Sequence, residues 1–137
     1  MDFAQQYLSY VNEKNHFMSY NHIRLTKIET DYAEAELVVN KDSLNPLGLM
    51  HGGAYFTMAD CAASGAARSN GQQYITLNSS FEFIRSGKEG TVRATAKVRH
   101  RGRTTCLIAT EITDEHGKLL AEGKFTMFCL SKPIDME

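Results

Sequence analysis

One acidic side chain stands in a long segment of mostly small residues. Residues 52–67 are rich in alanine and glycine, and Asp60 is their only carboxylate. A carboxylate in such a position can attack an acyl carbon or act as a general base towards water. Because burial of an unpaired carboxylate is costly, Asp60 is either a functional residue or part of a solvent-exposed stripe.

Two glycines follow His51 where this segment begins. The first N–H groups of a helix lack intrahelical acceptors, and glycine lets a ligand approach the backbone, so Gly52 and Gly53 suit a developing oxyanion. Gly52 and Asp60 are about 12 Å apart along a helix axis, which is too far for one small group. Two copies related by a two-fold axis could bring them together. The alternative is a glycine-rich loop that carries a surface histidine.

Basic side chains concentrate in residues 85–103, which contain seven Arg or Lys and a single Glu, although the whole chain has a net charge of −1. This local excess favours one discrete anionic ligand and argues against broad binding of nucleic acid. A solvated strand face with mixed charges is the alternative interpretation of the same segment.

Several other classes of function are excluded by the motifs that the sequence lacks. No phosphate-binding loop, dinucleotide-binding glycine motif or zinc-protease motif is present, and the five histidines show no metal-ligand spacing, so we expect no metal and no separate cofactor. The three cysteines are widely spaced and odd in number, which fits a reducing cytoplasm. Neither a secretory signal nor a membrane span is expected.

Hydrophobic periodicity predicts the elements that must position these residues. Helical spacing predicts a helix over residues 2–15, with Asp2 as its N-cap, and a long embedded helix over 52–69 that stops at Asn70-Gly71. Alternation predicts strands over residues 32–39, 74–84, 91–101, 104–113 and 119–130, joined by short turns. Residues 41–50 are predicted to form a loop.

The predicted strands form an antiparallel meander whose inner face covers the long helix. In residues 74–84 the alternation places four apolar side chains on the inner face: Ile75, Leu77, Phe81 and Phe83. A curved sheet of this kind leaves edge strands unpaired, and pairing with another copy is a common way to protect an edge. We therefore expect an oligomer.

The segment from Asn45 through His51-Gly52-Gly53 to Asp60, followed by the meander, resembles the hot-dog-fold acyl-CoA thioesterases of the phenylacetate-degradation type. The resemblance covers roughly residues 30–130. It implies an α+β fold with an antiparallel sheet of five to six strands around one long central helix. Residues 1–137 would form a single domain, with an N-terminal helical segment over 1–22 and a tail over 131–137.

The resemblance also implies roles for five residues. The Gly52 amide would donate to the thioester carbonyl, and Asp60 of the opposite copy would act as nucleophile or general base. Asn45 would help to hold the water or the carboxylate, His51 would order the loop, and Thr76 on the next strand would complete the site.

The expected substrate is an acyl-coenzyme A thioester, with coenzyme A as part of the substrate. The substrate-binding residues implied are Gly53, Arg99, Arg101, Gly102 and Arg103, the last four in the turn that would meet the phosphates. The assembly implied is a homodimer or homotetramer, and the family favours the tetramer. Two alternatives remain: a non-catalytic acyl-CoA binder on the same fold, and an enoyl-thioester hydratase or dehydratase.

Overall fold

The structure, a computed structural model, describes residues 1–137. It contains three α-helices and six β-strands. The helices are α1 (Phe3–Lys14), α2 (His16–Tyr20) and α3 (Gly52–Ala67), and the strands are β1 (Ile23–Glu29), β2 (Tyr32–Val38), β3 (Gln72–Phe83), β4 (Thr91–Arg101), β5 (Thr105–Thr113) and β6 (Leu119–Pro133). No helix has the length and hydrophobicity that crossing a bilayer requires.

All six strands form one antiparallel sheet in the order β1-β2-β4-β5-β6-β3. The sheet wraps around α3, which confirms the predicted α+β class with a single antiparallel sheet around one long helix. Strand β1 was not predicted, because a bulge between Leu25 and Lys27 interrupts the alternation that would reveal it. Burial accordingly moves from Leu25 to Ile28, three residues further on.

Small side chains allow α3 to lie close against the sheet. Five alanines of α3 have no exposed surface: Ala59, Ala62, Ala63, Ala66 and Ala67. On the same helix, a Cβ added to Gly65 would lie only 2.8 Å from the Ile28 side chain and 3.1 Å from that of Ala33. The predicted embedded helix is therefore confirmed, and a larger side chain at Gly65 would push helix and sheet apart.

Both long helices begin close to the predicted residues. Asp2 caps α1 by accepting a hydrogen bond from the Gln5 N–H at 2.9 Å, as predicted. Helix α3 ends at Ala67, two residues before the predicted end, and continues as a short 3-10 turn over Arg68–Asn70. Gly71 then reverses the chain with a φ of 82°, a conformation that glycine adopts without strain.

Strand β3 is the part of the fold that departs from the predicted pattern. Ile75, Leu77 and Phe83 are about half exposed, so the prediction that they face the core is wrong, and only Phe81 of the four packs against it. The reason is that β3 is the last strand of the sheet and has a bulge between Thr76 and Asn78 that shifts the alternation.

The exposed apolar residues at this edge form what we call the β3 edge strip. Its members are Ile75, Leu77, Phe83, Ile84 and Phe128. An edge strand with several exposed apolar side chains is suited to pairing with another chain.

Candidate active site

Asp60 and Thr76 come together in the folded chain. Asp60 is half-buried in the middle of α3, and the Thr76 hydroxyl on β3 donates a 2.7 Å hydrogen bond to its Oδ1 atom. The second carboxylate oxygen, Oδ2, has no hydrogen-bond partner in the chain. Thr76 therefore holds the carboxylate in one orientation and leaves one oxygen free to attack or to accept a proton.

The carboxylate opens into a cavity of about 130 Å³ between α1, α2 and α3. Besides Asp60, the cavity is lined by Tyr7, Val11, Asn15, Met18, Leu25, Cys61, Ser64 and Arg68. Most of this lining comes from the first 25 residues, so the N-terminal helices form the far wall of the cavity.

The N-terminus of α3 presents one unpaired backbone donor. The His51 ring accepts a 2.8 Å hydrogen bond from the Gly53 N–H through Nδ1, which places the proton of the neutral ring on Nε2. The N–H groups of Ala54 and Tyr55 donate to the His51 carbonyl. The Gly52 N–H has no acceptor in the chain, so it is the free donor at the positive end of the helix dipole.

Both glycines at this helix end have close neighbours. A Cβ on Gly53 would lie 3.0 Å from the Nδ1 of His51, and one on Gly52 would lie 3.2 Å from the Phe83 ring. The Gly53 N–H is already used by the His51 cap, so Gly53 serves the shape of this helix end and Gly52 supplies the free donor. Phe83 was not expected here, because its contact with Gly52 arises only in the folded chain.

Within one chain the two halves of the predicted site do not meet. His51 and Gly53 line a separate cavity of about 310 Å³, which Asp60 does not reach. This separation agrees with the distance of about 12 Å expected from helix geometry.

Asn45 shapes the loop before α3. Its Oδ1 accepts hydrogen bonds from the backbone N–H groups of Leu47 and Leu49 at 2.9 and 3.1 Å. The side-chain NH₂ group has no acceptor in the chain, and Asn45 does not contact Asp60. The side chain is therefore held by its oxygen while its two N–H donors stay available.

Arg101 is fully engaged in hydrogen bonds within the chain. Its guanidinium donates to the carbonyls of Ala66 and Ala67, to the Tyr74 hydroxyl and twice to the Asp31 carboxylate. These five hydrogen bonds use all five of its N–H donors. Arg101 therefore caps the C-terminus of α3 and has no donor left for a phosphate in this chain, so its role in substrate binding stays a prediction that these contacts do not favour.

The other members of the basic turn stay available. Arg99 and Arg103 are exposed and have neither a hydrogen bond nor a carboxylate partner. The Gly102 N–H donates to the Thr105 carbonyl at 2.8 Å and closes the turn between β4 and β5. Arg99 points to the outer face of the sheet, where it lines a shallow surface with Lys97.

Cys61, next to Asp60, is not a suitable nucleophile. Burial, and secondly the charge of Asp60, raise the pKa of its thiol to about 12, against a smaller lowering by Arg68. The thiol is protonated at neutral pH and packs as a small apolar side chain.

Fold and helix-end geometry together define a class of protein, and comparison with known proteins agrees with it. Residues 47–121 match the family model described as the thioesterase superfamily. The chain belongs to this superfamily, and its sheet wrapped around a long helix is the hot-dog fold.

Two relatives from Escherichia coli have named activities. The acyl-coenzyme A thioesterase PaaI is 32% identical over 72% of this chain and 71% of its own. A solved structure of PaaI matches 98% of this chain and 100% of its own with a TM-score of 0.88, at 24% identity, which shows the shared fold. The 1,4-dihydroxy-2-naphthoyl-CoA hydrolase is 34% identical over 76% of this chain and 79% of its own.

A Streptococcus pneumoniae protein, described as a hypothetical thioesterase and solved with coenzyme A, is 28% identical and covers 84% of this chain and 94% of its own, with a TM-score of 0.79. Two solved variants of that protein replace an aspartate and a threonine by alanine, at positions sixteen residues apart. Asp60 and Thr76 are also sixteen residues apart. Together with the family, these matches establish the chain as a thioester hydrolase.

Proposed function

We propose that this protein hydrolyses acyl-coenzyme A thioesters to a free acid and coenzyme A, in a site shared by two copies of the chain. The observation that carries the proposal is the hydrogen bond from Thr76 to Asp60, which prepares a carboxylate with one free oxygen inside a cavity. The relatives that act on acyl-CoA substrates support the same chemistry.

The Gly52 N–H would bind the thioester carbonyl oxygen. As the carbonyl carbon is attacked, negative charge grows on this oxygen, and a preorganised donor at a helix N-terminus stabilises that charge. Gly52 is suited to this role because its N–H has no competing acceptor and because it has no side chain to keep the ester away.

Asp60 of a second copy would supply the attack. Its free oxygen either adds to the carbonyl carbon, with the resulting anhydride then hydrolysed, or takes a proton from the water that adds. In both cases the C–S bond breaks, coenzyme A leaves as a thiolate that gains a proton, and the acid is released. The free NH₂ group of Asn45 is available to hold the water or the carboxylate.

Because Gly52 and Asp60 are too far apart within one chain to act on one thioester, the proposed site needs two copies. The β3 edge strip supports this proposal as a surface on which two copies could pair. Pairing of two β3 edges would cover these apolar side chains and continue the sheet. A dimer is the smallest assembly that completes the site, and a tetramer of two such dimers remains a prediction.

The exposed Arg99 and Arg103, with the turn at Gly102, are proposed to bind the phosphates of coenzyme A. The solved complex of the pneumococcal relative with coenzyme A supports a ligand of this class. No cofactor beyond the coenzyme A of the substrate is proposed. The three cysteines are all unpaired, which supports the cytoplasmic location expected from the sequence.

Substitution of Asp60 by Asn tests the proposal. We expect kcat on the best acyl-CoA substrate to fall about 1000-fold or more, because the amide can neither attack nor accept the proton. Release of coenzyme A is followed with a thiol reagent, and circular dichroism with light scattering checks fold and assembly. Glu13→Gln, an exposed change on α1, is the matched control. A rate for Asp60→Asn within tenfold of wild type would overturn the assignment.

A mixing experiment tests the shared site. Asp60→Asn removes the carboxylate half of the site, and Gly52→Pro removes the amide half. A dimer of one variant with the other therefore has one site with both halves intact and one site with both halves changed. Random pairing of equal amounts should restore about one quarter of the wild-type activity. No recovery from a mixture shown by mass spectrometry to contain mixed dimers would place both halves in one chain.

A further inference from the structure

Arg68 is a half-buried cation without a carboxylate partner. It follows the last residue of α3, and no Asp or Glu oxygen lies within 4.0 Å of its guanidinium. Its recorded hydrogen bonds go to the Tyr7 hydroxyl at 3.0 Å and to the Tyr74 carbonyl at 2.8 Å. Because a guanidinium has five N–H donors, three remain available.

Tyr7 adds a further donor at the same place. Its oxygen accepts from Arg68, and its own O–H has no acceptor in the chain, although the residue as a whole is buried. The hydroxyl already has one partner in Arg68, and its O–H can still donate to a ligand in either cavity that Tyr7 lines. Arg68 and Tyr7 therefore form a pair that presents several N–H and O–H donors and one positive charge.

This pair lines the same cavity as Asp60. Both residues line the cavity of about 130 Å³, and both also line a neighbouring cavity of about 390 Å³ on the other side of their hydrogen bond. The pair therefore belongs to the wall that the two cavities share.

Strand β3 sets the distance between the two ends of the smaller cavity. Thr76 holds the Asp60 carboxylate and the Tyr74 carbonyl holds Arg68, and these two residues of β3 lie about 7 Å apart along the strand. Along the axis of α3 and its continuation, Asp60 and Arg68 are about 12 Å apart. Both distances join backbone positions, and because the Asp60 and Arg68 side chains line the same cavity of about 130 Å³, a short acyl chain placed there can contact both.

We propose that Arg68 and Tyr7 bind a carboxylate at the far end of the acyl group, so that the preferred substrates are short dicarboxylic acyl-CoA thioesters. This inference rests on the proposed function, because it places the thioester beside Asp60. A carboxylate would accept the free donors of both side chains and neutralise the guanidinium in a charge-assisted, bidentate pair. Lys14 in the outer cavity adds to the positive charge there, against Asp135 in that cavity and Asp60 in the smaller one.

A matched pair of substrates tests the proposal. Glutaryl-CoA and pentanoyl-CoA have acyl chains of equal carbon number and differ in the terminal carboxylate. We expect wild type to have the higher kcat/KM on glutaryl-CoA, and Arg68→Gln to lower the ratio of glutaryl to pentanoyl kcat/KM about 10- to 100-fold. Tyr7→Phe should lower the same ratio several-fold. Arg24→Gln, an exposed change on β1, should leave the ratio at its wild-type value.

Arg68→Lys covers the case in which Arg68→Gln does not fold by circular dichroism. Lysine keeps the positive charge but cannot donate two parallel hydrogen bonds to a carboxylate. The ratio of glutaryl to pentanoyl kcat/KM should therefore fall about three- to tenfold. A wild-type ratio of one, or a ratio that neither folded Arg68 variant changes, would overturn the inference and leave the proposed function intact.

Binding to a chain that cannot turn over separates the two proposals. In the Asp60→Asn background, calorimetry should show tighter binding of glutaryl-CoA than of pentanoyl-CoA, and Arg68→Gln should remove the difference. If wild type hydrolyses no acyl-CoA thioester but this difference is present, the proposed function fails and the binding site stands. Equal affinities for the two thioesters would overturn the site.

Discussion

The two ends of helix α3 are treated in opposite ways by the same fold. At the C-terminus, the carbonyls of Ala66 and Ala67 accept hydrogen bonds from Arg101, whose charge is balanced by Asp31. At the N-terminus, His51 caps one N–H and the Gly52 N–H stays without an acceptor. Since orphan groups at helix ends are normally satisfied, the unsatisfied end is the one that is available to a substrate.

A second contrast lies within the closed end. Arg101 and Arg68 both reach the C-terminal end of α3, and both contact Tyr74. Arg101 has all five donors occupied and a carboxylate partner, whereas Arg68 has two recorded hydrogen bonds and none to a carboxylate. The number of unoccupied donors, and not the residue type, separates a structural arginine from one that can bind a ligand.

Among the changes that test this contrast between the helix ends, the largest effect should come from removal of the free donor at the open end. Gly52→Pro deletes the N–H and adds a ring whose Cβ lies near Phe83. The backbone accepts it, since proline is tolerated at the first helical position and His51, with φ −66° and ψ 136°, already has a conformation suited to a following proline. Loss of this donor should lower kcat about 100- to 1000-fold, as measured by steady-state hydrolysis.

Gly52→Ala is the control for that change. It keeps the N–H and adds a Cβ at 3.2 Å from the Phe83 ring, so we expect a smaller loss of activity, within about tenfold. If the proline and alanine variants have the same kcat, the Gly52 N–H does not stabilise the transition state and the contrast between the helix ends has no catalytic meaning.

The next effect concerns the closed end. Arg101→Met keeps an apolar stem but leaves two helix carbonyls and Asp31 without their partner. Because Arg101 is 23% and Asp31 47% exposed, solvent compensates in part, and we expect the free energy of unfolding to fall by about 2–4 kcal/mol in urea titrations. Arg99→Met, on the same strand, should change it by less than about 0.5 kcal/mol. Equal losses would show that Arg101 is not a cap.

The smallest effect should come from the cap at the open end. His51→Ala removes the acceptor of the Gly53 N–H and should lower the free energy of unfolding by about 1 kcal/mol in the same titrations. His51→Asn offers an oxygen to this N–H and should recover most of the loss. The contrary result, in which both variants are equally destabilised, would give the imidazole a role other than capping.

Periodicity predicted burial correctly in strands where apolar and polar residues alternate without interruption. Strand β4 alternates as expected, with Val92, Ala94 and Ala96 fully buried. Strands β1 and β3 did not follow a simple alternation, because each contains a bulge that shifts the inward face by one residue. Bulges depend on the partner strand, which a single sequence does not show.

The candidate site, like the strands, was predictable from the sequence only in part. Asp60 and Thr76 were paired by resemblance to a family, and their hydrogen bond is present in the structure. The roles of Arg101 and Arg68 could not be separated beforehand, since both are basic residues near the end of a predicted element. The two arginines differ in their neighbours in the folded chain: Arg101 meets Asp31, and Arg68 meets Tyr7. Asp31 and Tyr7 are each more than 50 residues away in the sequence from the arginine that they contact.

Local pattern alone was enough for the long helix of small residues, its single carboxylate and the glycines at its start, because helix periodicity and side-chain size act over a few neighbouring residues. Tertiary structure alone decided which backbone donor stays free, which arginine is saturated and which cavity the carboxylate enters. The physical reason is that hydrogen-bond satisfaction and burial are properties of groups brought together from distant parts of the chain.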